Sequence, residues 1–418
     1  MKERTYFCID MKSFYASVEC AERGLNPFET NLVVADPERG KNSLCLAITP
    51  KMKAQGIKNR CRMSDIPKNI KYLVAMPRMQ LYIDYTAEIY AIYLKYIDKN
   101  DIHVYSIDEA FLDVTDYLRM YQTDAFSFAK KLMNEILEKT HIPSTAGIGT
   151  NLYLAKVALD ITAKHAKDHI GYLDEEIYQK TLWDHKPLTD FWQVASGKAG
   201  RLARYGITDM YGIAHAPQDL LQRLFGKDWI LIYDHAWGRE SCLISDIKEY
   251  TPKGHSVSFS QILPKDYDFA TAKIVMAEMV ENGCYEMMKR HVITQKVGIY
   301  VGYSSEMHEP TGGSVKMSVT TNLPSKLQPY VMGLYEKTTA KGYLIRRLGI
   351  AFENVCDEGC EGYDLFTDFD QVEREKKREH TVLEIKERFG KNAILTATSY
   401  LEGATQKERN TFIGGHKA

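Results

Sequence analysis

Three carboxylates stand out for the chemistry they could do together. Asp10 closes the apolar run Tyr6–Asp10, and Asp108 and Glu109 follow one another between two further apolar runs. Carboxylates converging at a strand end commonly hold magnesium or manganese, hard cations that prefer oxygen ligands. Two such ions about 3.5–4 Å apart clamp the attacking and leaving oxygens of a phosphoryl transfer. The spacing alone leaves a second reading open, in which Asp108 and Glu109 are solvated turn residues and Asp10 caps the helix that follows it.

The elements that must position these groups can be read from periodicity. Tyr6–Asp10 reads as a buried strand, and FYASVECAER reads as a helix with Phe14 and Val18 four apart. Leu32–Asp36 and Leu44–Thr49 are strand candidates around PERGKNS. Pro50 suits a first helical position, and Gly56 closes that helix. Met79–Ile97 reads as a tyrosine-rich helix, His103–Ser106 and Ala110–Val114 as strands, Phe126–Lys139 as an amphipathic helix, and Ser144–Ile148 as a strand. With the segment from about 20 to 78 set aside, the order is β-α-β-β-α-β, the split βαβ or ferredoxin-like arrangement. Its first strand lies antiparallel beside its third, which brings Asp10 to Asp108 and Glu109 across the sheet. Further on, Asn151–Lys167 reads as a helix, 168–240 as helical, and 255–355 as alternating strands and helices ending in Leu344–Phe352. Glu373–Glu379 opens a helical C-terminal region ending in Gly414–Gly415.

The chain has 418 residues, enough for two to four domains. Its 44% hydrophobic and 26% charged residues are ordinary for a globular protein. No apolar run approaches the roughly 20 residues of a membrane span, and MKERTYFCID lacks the apolar core of a secretory signal. A cytoplasmic protein is expected. Eight cysteines in this length are no disulfide framework, and Cys356 and Cys360 have no second pair to complete a zinc site. The net charge of −1 is silent on nucleic acid, because phosphate contacts act within about 10 Å.

The words around the carboxylates are specific. FCIDMKSFYASVE at Phe7–Glu19, YSIDEAFLDV at Tyr105–Val114 and GIGTNLYLAKVA at Gly147–Ala158 resemble the Y family of translesion DNA polymerases, and the resemblance runs through nearly the whole chain. It implies an α+β multidomain right hand with a ferredoxin-like (βαββαβ) palm over 1–20 and 75–167 and small fingers over 21–74. A helical thumb with a helix-hairpin-helix follows over 168–245, an α/β little finger over 246–358, and a C-terminal tail over 359–418. The implied activity is template-directed, error-prone primer extension past damaged bases in DNA repair and SOS mutagenesis.

Carried over residue by residue, the resemblance makes Asp10, Asp108 and Glu109 catalytic metal ligands for two Mg2+ ions, for which Mn2+ can substitute, with the Met11 carbonyl as a further ligand. Tyr15 falls at the steric-gate position that rejects a 2′-hydroxyl, beside Phe14, although on position alone Tyr15 reads better as a core aromatic on the buried helix face. Lys53 is matched to a basic residue of the fingers and Lys164 to a palm lysine, both gripping the incoming dNTP, although Lys164 lies one residue further past the L-A-K motif than in some relatives. Pro50 replaces an aromatic and Lys53 an arginine, which favours the UmuC-type branch tied to damage-induced mutagenesis and brings an accessory subunit into view as a partner. Ser43 and Ala47 imply an open, tolerant site.

WQVASGKAGRL at Trp192–Leu202 resembles the thumb hairpin that offers N–H groups to primer-template phosphates, with Gly197 and Lys198 on the DNA. Ala195 stands where the first glycine is usual, and alanine resists positive φ. Arg346 and Arg347, in the little-finger strand IRRLGI, are further DNA-binding candidates. GYDLF at Gly362–Phe366 resembles a sliding-clamp peptide anchored by Leu365 and Phe366, with glycine replacing the usual glutamine. His165 and His169, four apart, could share a helix face, but no third metal ligand lies nearby in sequence. Two other classes remain as alternatives. A nucleotidyl-cyclase palm would lack the thumb hairpin and little finger, and a non-catalytic DNA-binding scaffold would not keep three carboxylates.

Overall fold

A computed structural model describes residues 4–40, 42–251, 256–304, 308–362 and 367–417. The chain divides into two compact units, Met1–Thr251 and Pro252–Ala418.

The first unit is built on β1 (Tyr6–Met11), whose burial is nearly continuous, as a strand covered on both faces requires. α1 (Phe14–Ala21) follows. A small sheet is then made by β2 (Leu32–Val34), β3 (Ala47–Ile48) and β4 (Leu73–Ala75), with β2 central, and α2 (Pro50–Ala54) packs Met52 into its core. The chain returns through α3 (Met79–Leu94) to β5 (Ile102–Val104) and β6 (Glu109–Asp113), then through α4 (Thr115–Met120) and α5 (Ala125–Thr140) to β7 (Ser144–Gly149). α6 (Leu152–Val157) leads into a fifth strand, β8 (Ile170–Leu173).

The sheet order is β5-β6-β1-β7-β8. β1 is antiparallel to both neighbours, and β8 adds in parallel to β7. The first four strands bear out the ferredoxin-like order and the antiparallel pairing of first and third strands. Strand alternation sorts the side chains. Phe7 meets Phe128 of α5 at 5.9 Å, whereas Tyr6, Cys8 and Phe111 form a cluster with Leu152, Ala155 and Leu159 around α6.

The helix at 151–167 is corrected. Helical α geometry ends at Val157, Ala158–Thr162 form a π turn, and the chain leaves the helix after Thr162. The stretch 168–240 is not all helical either, because it opens with β8. Its helices are α7 (Glu175–Leu182), α8 (Ser196–Ala203), α9 (Met210–Ala214), α10 (Gln218–Phe225) and α11 (Trp229–Ala236), followed by α12 (Ile244–Glu249). Their core includes Tyr178, Phe191, Leu221 and Ile232 and is continuous with Tyr153 and Leu154 of α6.

In the second unit, β9 (Ser256–Tyr267), β10 (Val292–Tyr303), β11 (Thr311–Thr321) and β12 (Ile345–Glu353) form an antiparallel sheet ordered β11-β10-β12-β9. α13 (Phe269–Lys289) and α14 (Pro324–Thr338) bury Val275, Met279, Leu327 and Val331 against Val297, Leu348, Ile350 and Phe352 of the sheet. The short β13 (Cys356–Asp357) extends the pairing at Ile293. α15 (Phe369–Phe389) packs Val372 and Leu383 against Tyr285 and Met288 of α13. α16 (Gln406–Arg409) and the hairpin of β14 (Phe412–Ile413) and β15 (His416–Lys417) end the described chain. Among the described residues no helix is long and apolar enough to cross a membrane.

Candidate active site

The strand register gathers the carboxylates. Asp10 lies opposite Glu109, and the Met11 N–H donates to the Asp108 carbonyl at 2.9 Å. Asp10 is not a helix cap: α1 begins after Ser13, with no side-chain capping bond. Directly opposed residues of an antiparallel pair share a face, so Asp10, Cys8, Glu109 and Phe111 all face α6. Asp108 sits in the turn before β6, held by a 2.7 Å bond from the Ser106 hydroxyl.

Glu109 is buried and carries two partners. The Cys8 thiol donates to Oε1 at 3.0 Å, and the Lys156 ammonium stands 2.8 Å from Oε1 and 3.0 Å from Oε2. Lys156 also pairs with Asp160 at 3.1 Å. Burial alone would lower the Lys156 pKa, but the anionic groups around it, Glu109 and Asp160 among them, raise it overall. Lys156 therefore remains a cation in a dry site. The two glycines of GIG make its placement possible: a Cβ on Gly147 would lie 2.1 Å from the Ala155 carbonyl oxygen, and one on Gly149 2.2 Å from the Ala155 N–H. Only glycine lets α6 cross β7 this closely.

Burial first, and then the charges of Asp108 and Glu109, push the Asp10 carboxyl up to about 8. The donor set is entirely oxygen, and its surplus of negative charge is what a divalent cation relieves, so the residues fit such an ion in kind. Among the described residues, however, no three acidic, histidine or cysteine side chains already enclose a cation position. Glu109 is engaged by Lys156 and Cys8 instead.

Basic residues surround this end of the sheet. Lys53, on α2, has its pKa lowered by burial and by the nearby Lys164, against the opposing pull of Asp10 and Asp108. Lys12 is lowered by burial and by Lys53. Lys53 is thus brought within electrostatic reach of Asp10 and Asp108, and Lys164 within reach of Lys53. The one-residue offset of Lys164 coincides with the π turn: Ala163 N–H donates to the Ala158 carbonyl at 2.8 Å, five residues back. A turn closed at five residues instead of four holds one more residue than an α turn. His165 and His169 do not share a helix face, because the helix has ended and His169 adopts φ 58° before β8.

Tyr15 is half-buried and stacks on Tyr82 at 4.4 Å with an interplanar angle of 17°, while Phe14 is buried beneath. Tyr82 donates to Glu19 at 2.8 Å, and Glu19 is held in turn by Arg78 at 2.9 and 3.0 Å and by Arg23. Ser43 and Ala47 are both buried.

Ala195 poses no strain in the hairpin, since its φ is −83° and the positive φ falls on Gln193, at 66°. Gly197 is exposed, and a Cβ there would meet nothing within 4 Å. Lys198 is in the first turn of α8. Trp192 anchors the hairpin to the carboxylate sheet, donating to the Tyr105 hydroxyl at 3.1 Å and packing on Phe111 at 5.8 Å.

In the second unit, Arg347 lies exposed over the Tyr300 ring at 5.5 Å, on the sheet face that the helices leave uncovered. Arg346, beside a register shift, pairs with Asp266 at 3.4 Å. Small residues populate the open face: Gly349 pairs with Ser260 and Tyr300, Ala351 with Ser258 and Gly298. Leu365 and Phe366 lie outside the described residues.

Lys156, Lys12 and the Arg78–Glu19–Tyr82 chain were not among the residues singled out from sequence. Lys156 lies inside the quoted GIGTNLYLAKVA motif, so its signal was present. The Glu19–Tyr82 pairing spans sixty-three positions and leaves no local pattern.

Comparison with known proteins identifies the family and the fold. Residues 9–160 match the impB/mucB/samB family, and residues 254–365 match the impB/mucB/samB family C-terminal domain. The chain is 30% identical to the putative UV-damage repair protein UvrX of Bacillus subtilis (strain 168), over 99% of this chain and 98% of that protein. It is 31% identical to DNA polymerase IV 2 of the same organism, over 100% and 99%. A solved Y-family polymerase chimera, Dbh-Dpo4(243-245)-Dbh, shares the fold with a TM-score of 0.65 at 20% identity, over 85% of this chain and 100% of that one. The insertion ternary complex of Dbh DNA polymerase matches with a TM-score of 0.50 at 19% identity over the same shares. The chain belongs to the Y family of DNA polymerases. It is a DNA-directed DNA polymerase of translesion synthesis and DNA repair.

Proposed function

We propose that the chain extends primers with low fidelity past damaged bases, in damage-induced mutagenesis, by two-metal nucleotidyl transfer at Asp10, Asp108 and Glu109. The register that sets Asp10 opposite Glu109, with Met11 bonded to Asp108, carries this reading. Two Mg2+ ions, or Mn2+ in their place, would be held by these carboxylates and the Met11 carbonyl, and when bound they activate the primer 3′-hydroxyl and offset charge on the leaving phosphates.

The protein's own groups do the rest. Lys53 and Lys164 neutralise the triphosphate of the incoming dNTP, with Lys12 beside them. The Tyr15 ring, braced by Tyr82 and Glu19, closes the space a 2′-hydroxyl would need, with Phe14 as its floor. Lys156 holds Glu109 in place by pairing with it and with Asp160. Residues 1–20 and 75–167 act as palm, 21–74 as fingers, 168–245 as thumb, 246–358 as little finger, and 359–418 as tail. Gly197 and Lys198 take primer-template phosphate, and Arg347, more than the engaged Arg346, meets DNA on the open sheet face. The likeness to the insertion ternary complex of Dbh DNA polymerase supports DNA and dNTP as ligands of this site. The sliding clamp, through Leu365 and Phe366, and an accessory subunit are proposed partners.

Primer extension on undamaged and abasic templates tests this reading. Wild type is expected to cross the abasic site, and Asp108→Ala and Glu109→Ala to extend neither template. Full activity in both variants would overturn the carboxylate assignment.

A further inference from the structure

The second unit holds a cavity that the polymerase reaction does not use. It lies between α13, α15 and the C-terminal segment, and its volume is about 330 Å3. Four basic residues line it, Lys289, Lys386, Lys391 and Arg409, against one acidic residue, Glu286. That glutamate is already engaged by Arg290 at 2.6 Å.

The positive charge is incompletely offset. The Lys386 side chain is only 10% exposed, pairs with Glu281 at 3.6 Å and lies over the Tyr285 ring at 4.2 Å, and Lys289 pairs with Glu387 at 3.0 Å, so the cations left without a carboxylate among the described residues are Lys391 and Arg409. Arg409 donates to the neutral Gln261 amide rather than to a carboxylate. The nearby Glu278 is spent on the Thr405 and Gln406 N–H groups, at 2.8 and 3.1 Å. Burial lowers the pKa of both Lys386 and Arg409 despite the glutamates near them. Among the described residues the buried Gln261 amide nitrogen has no partner. A half-buried guanidinium without a carboxylate partner, beside the exposed Lys391, favours an anionic ligand.

The rest of the lining narrows the class. Tyr285, Phe259 and Phe412 present aromatic rings, and Asn282 and Asn410 present amides that can both donate and accept. The volume is at the lower end of small-molecule sites, roughly 300–1,000 Å3, and too small for a nucleic-acid duplex. We infer that this cavity binds a free nucleoside mono- or diphosphate, with the phosphates on Arg409, Lys386 and Lys391 and the base among the rings. Such a ligand would bridge the tail to α13 and fasten the C-terminal segment.

The test is calorimetric titration of the full chain with ADP in EDTA, which keeps divalent cations from the carboxylate site. One ADP per chain is expected, with inorganic phosphate at least about tenfold weaker. The exposed Lys391→Glu should weaken ADP about tenfold or more while leaving primer extension intact, and Lys53→Ala should leave ADP binding unchanged. Arg409→Lys provides a second variant that preserves the charge while disturbing the fork geometry, and a several-fold loss of ADP affinity is expected. The inference is overturned if ADP does not bind, if Lys391→Glu binds it normally, if Lys53→Ala abolishes binding, or if phosphate binds as tightly as ADP.

Discussion

The carboxylate end of the first sheet and the open face of the second use glycine and charge in opposite ways. Around Asp10 and Glu109 the glycines are internal necessities: Gly147 and Gly149 face backbone atoms at 2.1 and 2.2 Å, and the buried Glu109 and Lys156 are paired with each other. On the open face, a Cβ on Gly349 would meet the Tyr300 Cβ at 3.3 Å, and a Cβ on Gly298 the Glu353 Oε1 at 3.0 Å, a flexible side-chain end. There the small residues leave the sheet face open, the face that the proposed function assigns to DNA. The first region holds its own groups still, whereas the second leaves one sheet face uncovered.

The largest expected effect breaks the first region at its chemistry. Asp108→Ala should lower single-turnover extension on the order of 10^3-fold or more, with folding unchanged by circular dichroism. Lys156→Met removes the cation between Glu109 and Asp160. We expect a 10- to 100-fold loss of kcat or a matching rise in the Mg2+ needed, measured by metal titration of the rate.

The glycines sharpen the contrast on stability. Gly147→Ala should cost about 3 kcal/mol in urea unfolding, because backbone must move to admit the methyl group. Gly349→Ala should cost less than about 1 kcal/mol, yet weaken primer-template binding. Arg347→Ala should weaken that binding by a similar, modest factor across sequences and reduce its salt slope by about 1.

A smaller effect concerns pH. Burial works to raise the Glu19 pKa, but hydrogen bonds from Arg78, Arg23 and Tyr82 outweigh it and hold the carboxylate below its ordinary value. A depressed folded-state pKa contributes stability that is present above the ordinary glutamate value, about 4.3, and is lost as pH falls through the lower folded value. Thermal melts of Glu19→Gln should therefore show less loss across that acidic window than wild type. An identical acid limb would remove Glu19 from the account of how Tyr82 and Tyr15 are braced.

Much of the first region was legible from the chain because its constraints are local or periodic. The apolar run before Asp10 and the order of strands and helices gave the antiparallel pairing that sets Asp10 opposite Glu109. The π turn was not legible, since a bond closed at five residues leaves no distinct hydrophobic period. β8 is four residues among helical segments and owes its place to pairing with β7. Lys156 was visible only as a letter in a motif, because its local partner Asp160 reads as an ordinary i,i+4 pair and its decisive partner Glu109 lies forty-seven residues away on β6. On the open face of the second unit, serine and glycine read as weak strand formers until their register shows that they share one side.

The most direct test is Mn2+ binding, followed by electron paramagnetic resonance, to the protein with primer-template and a non-hydrolysable dNTP analogue. The account predicts two bound ions per chain in wild type, with at least one lost in each of Asp10→Asn and Asp108→Asn. Unchanged stoichiometry and affinity in both variants would contradict it.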